Sequence, residues 1–144
     1  MWSQKPHQKR INKKFFIMIE WYKKVVLENY ANFDGRARRS EYWYFVLANF
    51  LISIVLQIID AVIGLPIFGG LYGLAVLIPS IAVAVRRLHD INKSGWWILI
   101  ALIPLVGAIW LIVLLATNGD QGPNQYGEDP KNFNEINEIG TPTY

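Results

Sequence analysis

The densest group of ionisable side chains in this chain of 144 residues is Arg86-Arg87-Leu88-His89-Asp90. Two guanidinium groups beside an imidazole and a carboxylate suit a phosphate-bearing headgroup, with His89 as acid, base or ligand. The string also suits a structural role, because arginines at a helix C-terminus favour the helix dipole and Asp90 lies within reach of both. One His and one Asp do not make a metal site and the chain has no Cys, so we predict neither metal nor cofactor.

A second basic group, Arg36-Ala37-Arg38-Arg39, precedes the first apolar run. The two groups together predict a patch that contacts anionic lipids of the cytoplasmic leaflet, or a membrane partner, at about 1 kcal/mol per basic residue. Topology marking explains the same residues equally well. The basic residues border apolar runs and form no separate domain, so we expect no nucleic-acid partner. The predicted contact residues are Arg36, Arg38, Arg39, Arg86, Arg87, His89 and Asp90.

Four polar residues interrupt the first apolar run, and their spacing places them on one helical face. They are Asn49, Ser53, Gln57 and Asp60. One interpretation is a polar path for a proton, an ion or a small solute, which three helices can enclose only as an oligomer. The other is hydrogen bonding between helices, worth about 0.6 kcal/mol per bond.

Three apolar runs must position these residues: Tyr42–Ile63, Phe68–Val85 and Trp96–Ala116, none of which contains Lys or Arg. About 20 apolar residues in a helix cross the roughly 30 Å of hydrocarbon in a bilayer. Backbone groups in lipid must pair within the protein, so such runs form helices. The sequence therefore predicts an all-α membrane protein with a three-span transmembrane helical bundle, its spans at about 42–63, 68–85 and 96–116.

Residues 15–30 predict an amphipathic helix ahead of this bundle. Its apolar stripe includes Phe15, Ile19 and Tyr22, and charged residues occupy the other side. We expect this helix to lie in the membrane interface, although a helix packed on a protein core has the same pattern. Residues 1–14 are basic and expected to be disordered. Ser40 and Ser94 are predicted to cap the first and third spans.

The charge distribution predicts the orientation. Residues 1–40 carry ten Lys and Arg against three acids, a net +7, whereas residues 117–144 carry one Lys against five acids, a net −4. Basic short loops face the cytoplasm. We therefore predict a multi-pass protein of a bacterial inner (plasma) membrane, with its N-terminus and the loop 86–95 inside. The turn 64–67 and the C-terminal tail are then expected outside.

Three strings in the same order give a resemblance to a known family. They are Trp21-Tyr22-x-Lys24-Val25 with the following basic turn, Arg86-Arg87-Leu88-His89-Asp90 with Ser94-Gly95-Trp96-Trp97, and Gly119-x-x-Gly122-x-Asn124-x-Tyr126-Gly127-x-Asp129-Pro130. The chain resembles the YhaH/YhaI-like family of small bacterial inner-membrane proteins, a domain of unknown function. The resemblance implies a location and brings no activity. It divides the chain into a basic flexible extension (1–18), the family membrane domain (19–130) and an acidic flexible tail (131–144).

The leading hypothesis is a non-enzymatic envelope protein that binds lipid or a membrane partner, which includes a second copy of itself. A transporter or channel subunit that uses the polar stripe in an oligomer is the first alternative. A lipid headgroup enzyme that uses Arg86, Arg87, His89 and Asp90 is the second.

Overall fold

The computed structural model describes residues 6–130, and its regular elements within that range are helices apart from one isolated bridge between Asn124 and Gly127. The predicted all-α class is therefore confirmed. The tail 131–144 and residues 1–5 lie outside the described residues. In chain order the elements are α1 (Pro6–Lys23), a π-helical turn (Lys24–Glu28), α2 (Arg39–Ile63), α3 (Phe68–Asp90), a 3₁₀-helix (Gly95–Leu102) and α4 (Val106–Ala116).

Helices α2 and α3 form an antiparallel hairpin from the first two predicted runs. They contain 25 and 23 residues, enough to cross about 30 Å of hydrocarbon. Gly64 ends α2 with a φ of 83°, in the left-handed region that glycine adopts without strain, and its N–H donates to the Asp60 carbonyl at 2.8 Å. Only 11% and 22% of their most apolar segments are buried. Apolar helices that the protein leaves uncovered are typical of lipid-facing helices rather than of a soluble core.

The buried residues collect at one end of this hairpin, where α2 begins and α3 ends. Phe45 of α2 and Val83 of α3 are almost completely buried there, beside Val25 and Ala37 from the preceding segment. We call this end the arginine end, because the two arginine groups of the sequence meet there. The turn 64–67 lies at the opposite end of the hairpin.

Helix α1 packs along α2. Its buried face includes Met18 and Trp21, and the Tyr22 ring stacks on Phe45 with 5.8 Å between ring centroids. These contacts agree with the alternative interpretation, in which the helix packs on protein. The helix begins at Pro6, earlier than the sequence indicated, so the predicted domain boundary at residue 18 falls inside one helix.

The third apolar run is not one helix, and the prediction of a continuous span over Trp96–Ala116 is wrong. The 3₁₀-helix of 8 residues and α4 of 11 residues are each about 16 Å long, half of what a span requires. Ile103, Pro104 and Leu105 separate them. Leu105 has φ 63° and ψ −66°, and the Val106 N–H donates to the Pro104 carbonyl at 2.7 Å, which closes a γ-turn.

The two arms fold back on each other as a hairpin (residues 95–116) that starts and finishes at the arginine end. Gly95 lies against Val85, and the Leu115 carbonyl accepts a hydrogen bond from Arg87 Nε at 2.9 Å. At Gly107 a Cβ would overlap the Ile100 carbonyl, so the close approach of the arms requires glycine. The run therefore turns back, and the residues that follow α4 lie at the arginine end, beside the basic segment that precedes α2.

Candidate functional site

The centre of the site is the Asp90 carboxylate at the end of α3. One oxygen accepts from Arg36 Nε at 3.0 Å and the other from Arg87 Nη1 at 2.6 Å. All three side chains are at most 2% exposed. Charge-assisted hydrogen bonds of this kind are about twice as strong as neutral ones, and burial requires that both charges be paired.

Arg36 also donates hydrogen bonds to the loop that follows α4, residues 117–130, which we call the closing loop. Its guanidinium donates to the Gly122 carbonyl at 2.6 Å and to the Asp120 carbonyl at 2.5 Å. The Asp120 N–H in turn donates to the Asp90 carbonyl at 2.8 Å. Gly119 passes so close to the Asp90 carboxylate that a Cβ at this position would overlap it. The third of the family strings, which begins at Gly119, therefore packs against the second, which includes Asp90.

Arg87 joins the same segments from the other side of Asp90. Besides Leu115, its guanidinium donates to the carbonyls of Ala37, at 3.3 Å, and Thr117. One side chain therefore holds the turn before α2, the end of α4 and the start of the closing loop together.

Arg86 forms a second buried ion pair, with Glu41 in the first turn of α2, at 2.6 Å. Its Nε donates to the Asn32 carbonyl at 3.1 Å, while Nη2 is buried and has no hydrogen-bond partner among residues 6–130. Sequence reasoning missed Glu41 as a member of the site. An acid at the edge of an apolar run was the signal, since a buried carboxylate needs a cationic partner. Arg36, Arg86, Arg87, Glu41 and Asp90 are called the arginine cluster below.

His89 is held structurally as well. Its Nδ1 lies 2.9 Å from the Gly35 carbonyl, and its ring stacks on Tyr126 with centroids 4.0 Å apart and planes 2° apart. The His89 carbonyl accepts from Asn124 at 3.0 Å. These contacts add two more attachments for the closing loop.

Arg38 and Arg39 differ from the arginines of the cluster. The Arg38 guanidinium lies over the Trp21 ring, 5.4 Å from the centroid, and its buried Nε has no hydrogen-bond partner in the described part of the chain. Arg39 is exposed, and its Nη1 reaches the Ala116 carbonyl at 3.3 Å. Of the seven predicted contact residues, Arg39 is therefore the one with an exposed side chain.

The predicted polar stripe divides into separate parts. Asn49 accepts from the Tyr72 hydroxyl, which is 2.9 Å from the Tyr22 hydroxyl, so a three-member network ties α1, α2 and α3 together. Asp60 accepts the N–H groups of Phe68 at 3.0 Å and Gly69 at 2.9 Å, which caps the start of α3. The other two members are Ser53, which is half-buried, and Gln57, which is exposed.

Chemically, this arrangement is a clamp that joins separate chain segments. Within residues 6–130 no three His, Cys, Asp or Glu side chains converge on a point where a metal could bind. The ionisable groups of the cluster bond to each other and to backbone carbonyls from four chain segments. The side chains exposed beside them carry both signs: Arg39 is positive, whereas Asp120 and Glu128 of the closing loop are negative.

Fold and site together define a class: a small protein with lipid-facing helices whose loops are joined by buried arginine–carboxylate pairs. A family described as "Protein of unknown function (DUF805)" matches residues 30–128. Inner membrane protein YhaI of Escherichia coli (strain K12) is 44% identical over 115 residues, 78% of this chain and 97% of the relative. Inner membrane protein YhaH of the same strain is 44% identical over 119 residues, 78% of this chain and 98% of the relative. The chain belongs to this family, as the three strings predicted, and no solved structure matches it.

Proposed function

We propose that the chain is a multi-pass protein of a bacterial inner membrane, with α2 and α3 as its two spans and the arginine end in the cytoplasm. Both named relatives are inner membrane proteins, and both helices have the length and composition of spans. Lys24, Arg38, Arg39 and Lys93 cluster at this end, where the positive-inside rule puts such residues.

The hairpin 95–116 then enters the cytoplasmic half of the bilayer and returns. Its arms of about 16 Å reach roughly the midplane of a 30 Å hydrocarbon layer. Exposed apolar residues of α1, among them Phe15 and Phe16, contact the acyl chains from beside α2. This arrangement keeps the proposed interfacial contact of α1 and replaces the third span.

Single cysteines test this topology, because the natural chain has none. A membrane-impermeant maleimide should label Leu65→Cys, in the α2–α3 turn, from the outer face of intact spheroplasts. It should label Gln125→Cys, in the closing loop, only in inverted vesicles. Labelling of both from outside would restore the three-span arrangement and overturn ours.

For its biochemical role, we infer a non-enzymatic protein that binds anionic lipid through the exposed basic residues of the arginine end. One observation carries this inference: the side chains able to do chemistry are turned inward and bonded. The Asp90 carboxylate is shared by two guanidinium groups, and His89 is fixed by a carbonyl and a stacked ring. A headgroup enzyme would need these groups to face its substrate.

The role is tested by lipid selectivity. Spin-labelled phosphatidylglycerol should associate with the protein in nanodiscs more strongly than spin-labelled phosphatidylcholine. The preference should fall as salt rises, because exposed charges are screened beyond about 10 Å at 0.1 M ionic strength. Equal association of the two lipids at low salt would contradict the proposed role.

A further inference from the structure

A cavity of about 330 Å³ opens beside the first turns of α2. Its lining residues are Arg39, Ser40, Trp43, Tyr44 and Leu47. The lining changes along the helix from a guanidinium and a hydroxyl, through two interface-type aromatic rings, to an aliphatic side chain. A phospholipid changes in the same order, from its phosphate through the glycerol region to the acyl chain.

The polar groups at the mouth of this cavity have donors to spare. Arg39 is exposed, and its one hydrogen bond to the described residues is that of Nη1 to the Ala116 carbonyl, at 3.3 Å. Within residues 6–130, no hydrogen bond engages the Ser40 hydroxyl, the Trp43 indole N–H or the Tyr44 hydroxyl. The Trp43 ring is held edge-on against Tyr42, with centroids 5.1 Å apart, which keeps the aromatic wall in place.

The position of Arg39 also favours an anion there. Five arginines lie at this end with the buried carboxylates Glu41 and Asp90, and the closing loop adds the exposed Asp120 and Glu128. Arg39 is close enough to the buried Arg87 for the two positive charges to repel each other. A phosphate on Arg39 would relieve that repulsion. Its charge would also favour the start of α2, which has no side-chain cap.

We propose that this cavity is a binding site for one anionic glycerophospholipid of the cytoplasmic leaflet. The phosphate contacts Arg39 and Ser40, the glycerol and ester groups lie against Trp43 and Tyr44, and an acyl chain follows Leu47. The proposal rests on the proposed function, which places this end at the level of the headgroups. It commits to a lipid rather than free phosphate, because two rings and a leucine form most of the lining.

The test measures phosphatidylglycerol retained on the protein against phosphatidylcholine, by native mass spectrometry from mixed nanodiscs. Arg39→Ala should lower the preference about fivefold, which corresponds to about 1 kcal/mol for one basic residue at an anionic surface. Arg39→Lys should retain most of it. Arg10→Ala is the matched control: it removes the same charge from an exposed position on α1 and should leave the preference unchanged. Inorganic phosphate at about 10 mM should not displace the lipid. Free phosphate can form the same charge contacts as the lipid headgroup, but it cannot form the apolar contacts.

Equal losses in the Arg39→Ala and Arg10→Ala proteins would overturn the site while leaving the proposed lipid-binding role intact. Displacement of the lipid by inorganic phosphate would also overturn it, in favour of a simple anion site. A natural chain without any preference would instead refute the proposed function itself. Unfolding curves in detergent should coincide for all variants, because Arg39 is exposed and makes a single long hydrogen bond.

Discussion

Each end of the α2–α3 hairpin contains a buried aspartate, and the two are satisfied in opposite ways. Asp60, 8% exposed, accepts the N–H groups of Phe68 and Gly69, a few residues along the chain. Asp90, 1% exposed, accepts from Arg36 and Arg87, and Arg36 is 54 residues away. The first is a local helix cap, and the second is a clamp between distant segments.

The difference teaches how polar groups are used in a protein of this kind. A cap depends only on the geometry of one turn, so it stabilises the hairpin without fixing the position of any other segment. The clamp brings guanidinium charges into a buried place, where they are tolerated only while the carboxylate and the carbonyls are present. The clamp is therefore the more fragile of the two, and it decides where the closing loop lies.

The largest effect is expected from Asp90→Asn. Two guanidinium groups would then be buried without a compensating charge, which costs about 3–5 kcal/mol. The free energy of unfolding in detergent micelles should fall by that amount, and the closing loop should become sensitive to protease. A loss below about 1 kcal/mol would mean that water already reaches the clamp. It would contradict the conclusion that the Asp90 clamp is more fragile than the Asp60 cap.

Gly119→Ala should give the next largest effect, because the new Cβ overlaps the Asp90 carboxylate and the loop must shift. Overpacking of this kind costs about 1–3 kcal/mol. The matched control is Gly70→Ala in α3, where nothing lies within 4 Å of the new Cβ. That change should stabilise by up to about 1 kcal/mol through helix propensity. The same sign for both substitutions in a thermal unfolding series would refute the close packing of the loop.

Asp60→Ala should cost about 1 kcal/mol, the usual value of a lost N-terminal cap. Unfolding in micelles measures it, and the protease sensitivity of the closing loop should not change. A release of the closing loop by this substitution would show that the two ends are coupled, contrary to the comparison.

The smallest effect is expected at Lys23, whose side chain is 54% exposed and lies 3.8 Å from Glu20. Exposed pairs contribute about 0–1 kcal/mol, so Lys23→Ala should change the unfolding free energy by less than that. Lys9→Ala, an exposed lysine of the same helix, is the control. A loss comparable with that of Asp90→Asn would mean that burial is not what separates strong from weak ion pairs here.

Local signals were predicted well from the sequence. The first two apolar runs are helices, and the Ser94 hydroxyl accepts the Trp96 N–H at 3.3 Å as a cap should. The predicted cap at Ser40 is wrong, because α2 already begins at Arg39 and has no side-chain cap. The helix begins two residues earlier than predicted, with Arg38 at the N-cap position and its guanidinium over the Trp21 ring.

The site was predicted in part. Arg36, Arg87 and Asp90 were singled out by type and spacing, and the structure brings them together. Their acceptors in the closing loop are backbone carbonyls, which every residue has, so no side-chain pattern marks them. For the same reason the sequence favoured a surface patch, whereas three of the five arginines are buried.

The amino-acid sequence alone was enough to infer the amount of apolar surface, the end of the hairpin that carries the arginines, and the family. Only the tertiary structure decided that the third apolar run turns back at Pro104 and Leu105 and that the arginines point inward. The mean hydropathy of consecutive residues does not show where the chain reverses its direction. The burial of a guanidinium depends on acceptors that lie far away along the chain, 86 residues in the case of Arg36 and Gly122, and only folding supplies them.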